Sequence, residues 1–159
     1  MNSREDFDKI AEEIFFPIYE VIAGDALRAA GEKSGRCLDV GCGGGHLGLS
    51  VAKLSDMKLT LMDIKAEAIE IARQRITDWD LAERASAMVG DVCGNDLPDN
   101  SFDLIVRRGS IGFWGDRDDM KRAFAEIYRV LAPGGITFMG KGFGNAELAA
   151  QIKAIMKEK

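Results

Sequence analysis

Cysteine, proline, histidine and long apolar runs are all scarce in this chain, and each scarcity narrows what it can be. Three cysteines, Cys37, Cys42 and Cys93, cannot all pair and form no C-x-x-C. With His46 as the single imidazole, a tetrahedral zinc site is poorly supplied, so no metal is expected and the cysteines read as small buried apolar residues. No stretch of about eighteen apolar residues occurs, which argues against a membrane-spanning helix. The start, MNSREDFDKIAEEIF, carries acids early and lacks the layout of a signal peptide, so a cytoplasmic protein is the expectation. Positive charge is also short: 21 Lys and Arg against 26 Asp and Glu leave a net charge of −5. RRG at 107–109 is too short a basic cluster to neutralise a phosphate backbone, which argues against nucleic acid as a partner.

What is present suffices for one domain. The 159 residues can bury one sizeable core, and 47% apolar with 30% charged residues is ordinary for a globular protein. Residues 5–30 have helical spacing, with Pro17 dividing or kinking the helix because proline lacks the amide donor. Strands are predicted at 36–40, 58–63, 85–89, 102–107 and 136–139, and helices at 46–54, 65–79 and 119–131. Ala132-Pro133-Gly134-Gly135 should break the chain before the fifth strand, and Asn145 should cap a last helix at 146–157. Strand and helix alternation of this kind predicts a doubly wound, Rossmann-like parallel sheet of about five strands with helices on both faces. The expected organisation is a single domain over 1–159, with 1–35 a helical cover and 36–159 the core.

Ligands of such sheets bind at the carboxyl ends of the strands, where strand order reverses. The first strand-to-helix loop there is GCGGGHLG, residues 41–48. Read from Gly43 it fits the dinucleotide pattern G-x-G-x-x-G; read from Gly41 it gives G-x-G-x-G, and neither match decides the ligand. Counted from Gly41, which follows the last apolar strand residue, the dinucleotide pattern puts His46 where a helix-packing glycine is needed. Asp39 points the same way, because a carboxylate beside a pyrophosphate is electrostatically unfavourable and beside a cation is favourable. The stretch GITFMGKG at 135–142 comes within one residue of a phosphate-binding P-loop, but its centre is an apolar strand and no Ser or Thr follows the lysine.

LDVGCGGG at 38–45 resembles the first motif of class I S-adenosylmethionine-dependent methyltransferases. Asp63, GDV at 90–92, LPDNSFDLIV at 97–106 and EIYRVLAPGG at 126–135 resemble later segments of that family, in its small-molecule branch and in the family's order. The resemblance implies S-adenosylmethionine as cofactor, with S-adenosylhomocysteine as product. It implies that Asp39 attracts the methionine ammonium and that Gly41, Gly43 and Gly45 let the backbone approach the ligand. Asp63 would accept the ribose hydroxyls and Ile64 would press on the adenine. Asp91 and the Val92 amide would meet the adenine edge, and the backbone carbonyl at Arg107 or Arg108 would meet the ammonium. Each acid also has a plainer role: Asp63 capping a helix, Asp91 stabilising a turn.

Methyl transfer from an activated sulfonium needs positioning more than proton transfer, so the acceptor is inferred from what is missing. RRGSIGFWGDRDD follows the fourth strand in place of the Asn-Pro-Pro-Tyr associated with planar amino groups, and no acid cluster suggests metal-dependent catechol chemistry. A small molecule is the remaining acceptor class. His46 is the candidate general base, set against a plain surface role in the first helical turn. Tyr19, Phe15 and Phe16 lie on the helices that in this family cover the cofactor, with core packing the alternative for the phenylalanines. Phe113 and Trp114 are candidates for an acceptor wall, and Arg108 with Ser110 for binding an anionic substrate. Family members continue with strands six and seven, whereas this sequence stops at Lys159, so a C-terminally truncated chain and self-association through the strand-five edge or terminal helix are expected. The alternatives are a noncatalytic S-adenosylmethionine-binding subunit or fragment needing a partner chain and, further off, a nucleotide-dependent oxidoreductase.

Overall fold

In the computed structural model, residues 9, 12, 16–31, 34–109 and 116–140 are described. Among them the elements run α1 (Phe16–Ala30), β1 (Arg36–Val40), α2 (His46–Lys53), β2 (Lys58–Asp63), α3 (Ala66–Asp78), β3 (Ala85–Val89), β4 (Phe102–Arg108), α4 (Arg117–Val130) and β5 (Leu131–Gly140). The sheet order is β3-β2-β1-β4-β5, and every pairing is parallel. The chain builds outward from β1 to β3, then returns to lay β4 against the other side of β1. Strand order therefore reverses between β1 and β4, and loops at their carboxyl ends diverge to leave a crevice there.

Alternation along the central strands sends side chains to two cores. On one face Ala23, Ala26 and Leu27 of α1, Leu49 and Val51 of α2, and Ala72 and Ile76 of α3 pack over Leu59, Leu61, Leu104 and Val106. On the other, Met120, Ala123, Phe124, Ile127 and Val130 of α4 cover Leu38, Val40, Met62 and Ile105. Fully burying a side chain of this size contributes about 1.5–3 kcal/mol, so each face holds its helices independently of local propensity.

Pro17 lies at the edge of the described part of α1, and the expected division or kink there falls against residues 13–15, outside the described residues. From β1 to β5, two boundaries differ from the sequence expectation by more than one residue. Helix α4 begins at Arg117 and not at 119, because the Asp116 carboxylate accepts from the amides of Asp118 and Asp119 at 2.9 and 3.0 Å. Strand β5 begins at Leu131, directly after α4, and not after the Pro-Gly-Gly break. Leu131 pairs with Phe102 and Ile136 with Leu104, so β5 advances five residues while β4 advances two. The surplus is taken up around Pro133–Gly135, with Gly134 at φ +81°, as a bulge inside the strand. The expected last helix at 146–157 lies outside the described residues.

Candidate functional site

The glycine loop that joins β1 to α2 is tied to the end of β2 by backbone groups. Gly41 and Cys42 both donate to the Met62 carbonyl at the tip of β2, at 2.8 and 3.0 Å, and Gly45 donates back to Cys42 at 2.9 Å. Gly45 ends the loop with left-handed backbone at φ 86°, and the helix starts at the next residue. A Cβ at Gly48 would sit 2.6 Å from Leu61 and 2.9 Å from Asp39. Gly48 is thus the glycine that lets α2 lie directly on the sheet. It is the third glycine of the pattern read from Gly43, a contact that the frame counted from Gly41 overlooks. The glycines alone serve either ligand, and the acids distinguish them.

Asp39, next to last in β1, and Asp63, last in β2, stand near the carboxyl ends of neighbouring strands. Asp39 is 2% exposed, and one of its oxygens accepts from the Gly48 amide at 2.8 Å. Burial pushes its carboxyl up to about 7; the charge of Asp63 adds to that, while the Gly48 hydrogen bond and Arg107 oppose it. Asp63, 9% exposed, accepts from Gly43 through one oxygen at 2.9 Å and from Lys65 through the other at 3.0 Å. The Lys65 bond forms a turn ahead of α3 and not a cap, because Lys65 is itself the N-cap and the helix has no side-chain cap bond; the same carboxylate fixes the glycine loop. Ionised carboxylates offer about four lone-pair sites, so each Asp63 oxygen keeps one for a ligand.

Around this pair, Ile64 stands 61% exposed beside the β2 tip. Asp91 accepts from the Cys93 amide at 2.8 Å, the turn-stabilising role considered for it, and Val92 is buried on the α4 side. Arg107 is fully buried at the end of β4, its guanidinium lowered to about 9 by burial against the opposing pull of Asp39. The Cys37 and Cys42 thiols are pushed well up by burial and by Asp39, which keeps them neutral packing groups.

His46 is not a surface residue. It is 3% exposed because α1 crosses the start of α2: Tyr19 stacks on the imidazole at 5.3 Å and 16°, and Phe16 meets it edge-on at 6.4 Å. Arg108 also meets Tyr19, its guanidinium 4.8 Å from the ring centroid. The fold thus joins Arg108, Tyr19 and His46 into one group that ties the helical cover to both sides of the crevice. Ser110, Phe113, Trp114 and Phe15 lie outside the described residues. An open hollow of about 430 Å³ lined by Glu12, Phe16, Lys53 and Trp79 includes none of the strand-tip acids. Two participants had no local signal in the sequence. Arg75, on α3, donates to the Gly44 carbonyl, and it pairs with Glu12 at 3.7 Å.

A family model described as a methyltransferase domain matches residues 37–135. A candidate S-adenosyl-L-methionine-dependent methyltransferase of Methanococcus maripaludis has a solved structure that superposes with a TM-score of 0.83 at 41% identity, covering 98% of this chain and 69% of that one. The ubiquinone/menaquinone biosynthesis C-methyltransferase UbiE of Rickettsia bellii is 30% identical over 141 residues, covering 84% of this chain and 55% of its own. The 27-O-demethylrifamycin SV methyltransferase of Amycolatopsis mediterranei is 30% identical over 136 residues, covering 86% and 48%. The chain spans about half the length of these curated relatives.

Proposed function

This chain belongs to the class I S-adenosylmethionine-dependent methyltransferases, and from that premise we propose that it binds S-adenosylmethionine across the carboxyl ends of β1, β2 and β3 and transfers a methyl group to a small-molecule acceptor. The observation that carries the reading is the pair of buried carboxylates, Asp39 and Asp63, on adjacent strand tips beside a glycine loop. The charge of Asp63 raises the cost of ionising buried Asp39, so the site favours a cationic ligand group and disfavours a pyrophosphate. Where Asp39 is buried, repulsion of a phosphate and attraction of a cation are weakly screened, which favours the cationic ligand. S-adenosylmethionine supplies an ammonium and an activated methyl sulfonium, and has no phosphate.

The residue roles follow from position. Asp39 neutralises the ammonium, directly or through water, with the carbonyl at Arg107 or Arg108 as a second acceptor across the crevice. Gly41, Gly43 and Gly45 keep the loop free of Cβ atoms. Asp63 offers its remaining lone pairs to the ribose hydroxyls, and exposed Ile64 provides an apolar surface for the adenine. Asp91 and the Val92 amide face the adenine edge. Tyr19 closes the crevice from the helical cover, residues 1–35, over the core, 36–159. Arg108 is the acceptor-side candidate among the described residues; Ser110, Phe113 and Trp114, which lie outside them, are candidates from the sequence. His46, enclosed by Tyr19 and Phe16, supports the cover and takes no proton from the acceptor.

A cytoplasmic setting and self-association through β5 complete the reading; no helix among the described residues is long and apolar enough to cross a membrane. Relatives named for carbon and for oxygen methylation leave the acceptor atom to experiment. Calorimetry with S-adenosylmethionine, S-adenosylhomocysteine and NAD tests the cofactor directly. Binding of the first two without NAD is expected; tight NAD binding with no response to S-adenosylhomocysteine sinks the reading.

A further inference from the structure

Residues 90–101 carry the chain from β3, at one edge of the described sheet, past β2 and β1 to β4 with no helix of their own. A parallel crossover usually contains a helix, which satisfies its backbone internally. Here the backbone groups must find partners elsewhere, and α4 supplies them. Val92 and Leu97 pack in the core beneath α4, and the Cys93 thiol donates to the Asp119 carbonyl at 3.3 Å.

Arg129, in the last turn of α4, grips the same connection further along. Its Nη1 donates to the Leu97 carbonyl at 2.7 Å and to Asp99 at 2.6 Å, and its Nη2 donates to the Asn95 carbonyl at 3.1 Å. Glu126, one turn earlier, accepts from Nε at 3.1 Å and from Nη2 at 2.8 Å, which fixes the plane of the guanidinium. The same Glu126 carboxylate accepts from the Asn95 amide at 3.4 Å. A surface ion pair by itself contributes little. This one differs because the planar fork also takes two main-chain carbonyls of the connection.

Asn95 directly follows the turn that carries the adenine-facing groups. Asp91 and Gly94 close that turn, the Gly94 amide donating to the Asp91 carbonyl at 3.2 Å, and one Asp91 carboxylate oxygen accepts from the Cys93 amide. We propose that Arg129 is a positioning residue for adenine recognition: by fixing Asn95 and Leu97 to α4, it sets the direction in which the Asp91 carboxylate and the Val92 amide meet the adenine edge. This inference rests on the reading that S-adenosylmethionine binds at the strand tips. A connection released from Arg129 keeps its apolar packing through Val92 and Leu97, so the fold persists while the carboxylate loses its fixed aim. Adenine selectivity, more than overall affinity, is what the guanidinium supplies.

The experiment uses the full chain and calorimetry with two probes, S-adenosylhomocysteine and its purine analogue, which lacks the 6-amino group. Wild type should prefer the first by about tenfold or more, the difference expected for one hydrogen bond to a charged acceptor. Arg129→Met should shrink that preference to about threefold or less, by weakening S-adenosylhomocysteine while the purine analogue stays within about twofold of wild type. Arg129→Lys should stand between them, since it keeps the charge but not the fork. A residue that only stabilises the fold would lower the unfolding temperature and move both probes alike or neither, and that result in folded variants overturns the inference. Should Arg129→Met fail to fold, Arg129→Lys decides the matter: a preference equal to that of wild type overturns it. Wild type that binds both probes equally overturns the Asp91 assignment and this inference with it. Wild type that binds neither overturns the cofactor reading itself.

Discussion

Asp39 combines deep burial with a neighbouring acid, and the sign of its titration makes a direct test. Its carboxyl is raised to about 7 in the folded protein, so the folded state holds a proton that the unfolded chain, near the ordinary carboxylate value, gives up. Its contribution to stability is present at low pH and lost as pH rises from about 4 through about 7. Binding of an ammonium requires the ionised form, so S-adenosylhomocysteine should bind more tightly as pH rises from 5.5 to 7.5, by up to about tenfold per unit below 7. Asp39→Asn should bind weakly with a flat profile over that range; parallel profiles for the two proteins would remove Asp39 from the ligand. Asp63→Ala removes two backbone anchors as well as the ribose acceptor. The sequence alone suggests a binding defect with little effect on the fold. The anchors predict both a stability loss of about 2 kcal/mol in urea and a roughly thirtyfold rise in Kd. An unchanged Kd in folded protein would show the ribose contact to be misassigned. His46→Ala should lower turnover less than about tenfold, against the 10²–10⁴-fold typical of a general acid–base, because its ring is spent on Tyr19. A thousandfold loss with intact cofactor binding would restore it as the base.

At the scale of elements, helix α2 lies so close to the sheet that one methyl group is decisive. Gly48→Ala would place its Cβ against Leu61 and Asp39 at distances real Cβ atoms do not show. The helix must lift or Leu61 must leave its rotamer, at a cost of about 1–3 kcal/mol. Urea midpoints should fall accordingly, and the Asp39–Gly48 hydrogen bond should lengthen, weakening S-adenosylhomocysteine too. A substitution tolerated without a midpoint shift would mean that α2 has slack. The elements were legible in sequence because period and punctuation agree with burial: residues 36–40, 58–63 and 85–89 are strands as expected. Where expectation failed, a single side chain or a pairing register decided. Asp116 starts α4 two residues early by capping it, and the Phe102–Leu131 pair draws the Pro-Gly-Gly segment into β5 as a bulge. Local pattern contains neither, since one depends on a side chain's direction and the other on a partner strand.

For the molecule as a whole, β5 is the outermost strand of the described sheet on the side beyond β4. It carries Phe138 and Met139 with few charges to discourage pairing with another chain. Light scattering across a concentration series should therefore show self-association. A clean monomer at the highest concentration would mean that this edge is covered within one chain.

The cofactor class was readable from residues 38–63 and 90–92, because a strand, a glycine loop and acids at strand tips are local patterns that topology then places together. The doubly wound parallel sheet was readable from the same alternation, whereas its order, β3-β2-β1-β4-β5, was decided by strand pairing in space. Tertiary structure alone decided what each side chain does once there. It buried His46 under Tyr19 instead of leaving it on the surface, brought Arg108 onto the other side of that ring, and sent Arg75 back to the loop 31 residues earlier. Those assignments depend on which helix crosses which, and crossing is set by packing between segments far apart in the chain, where no sequence period reaches.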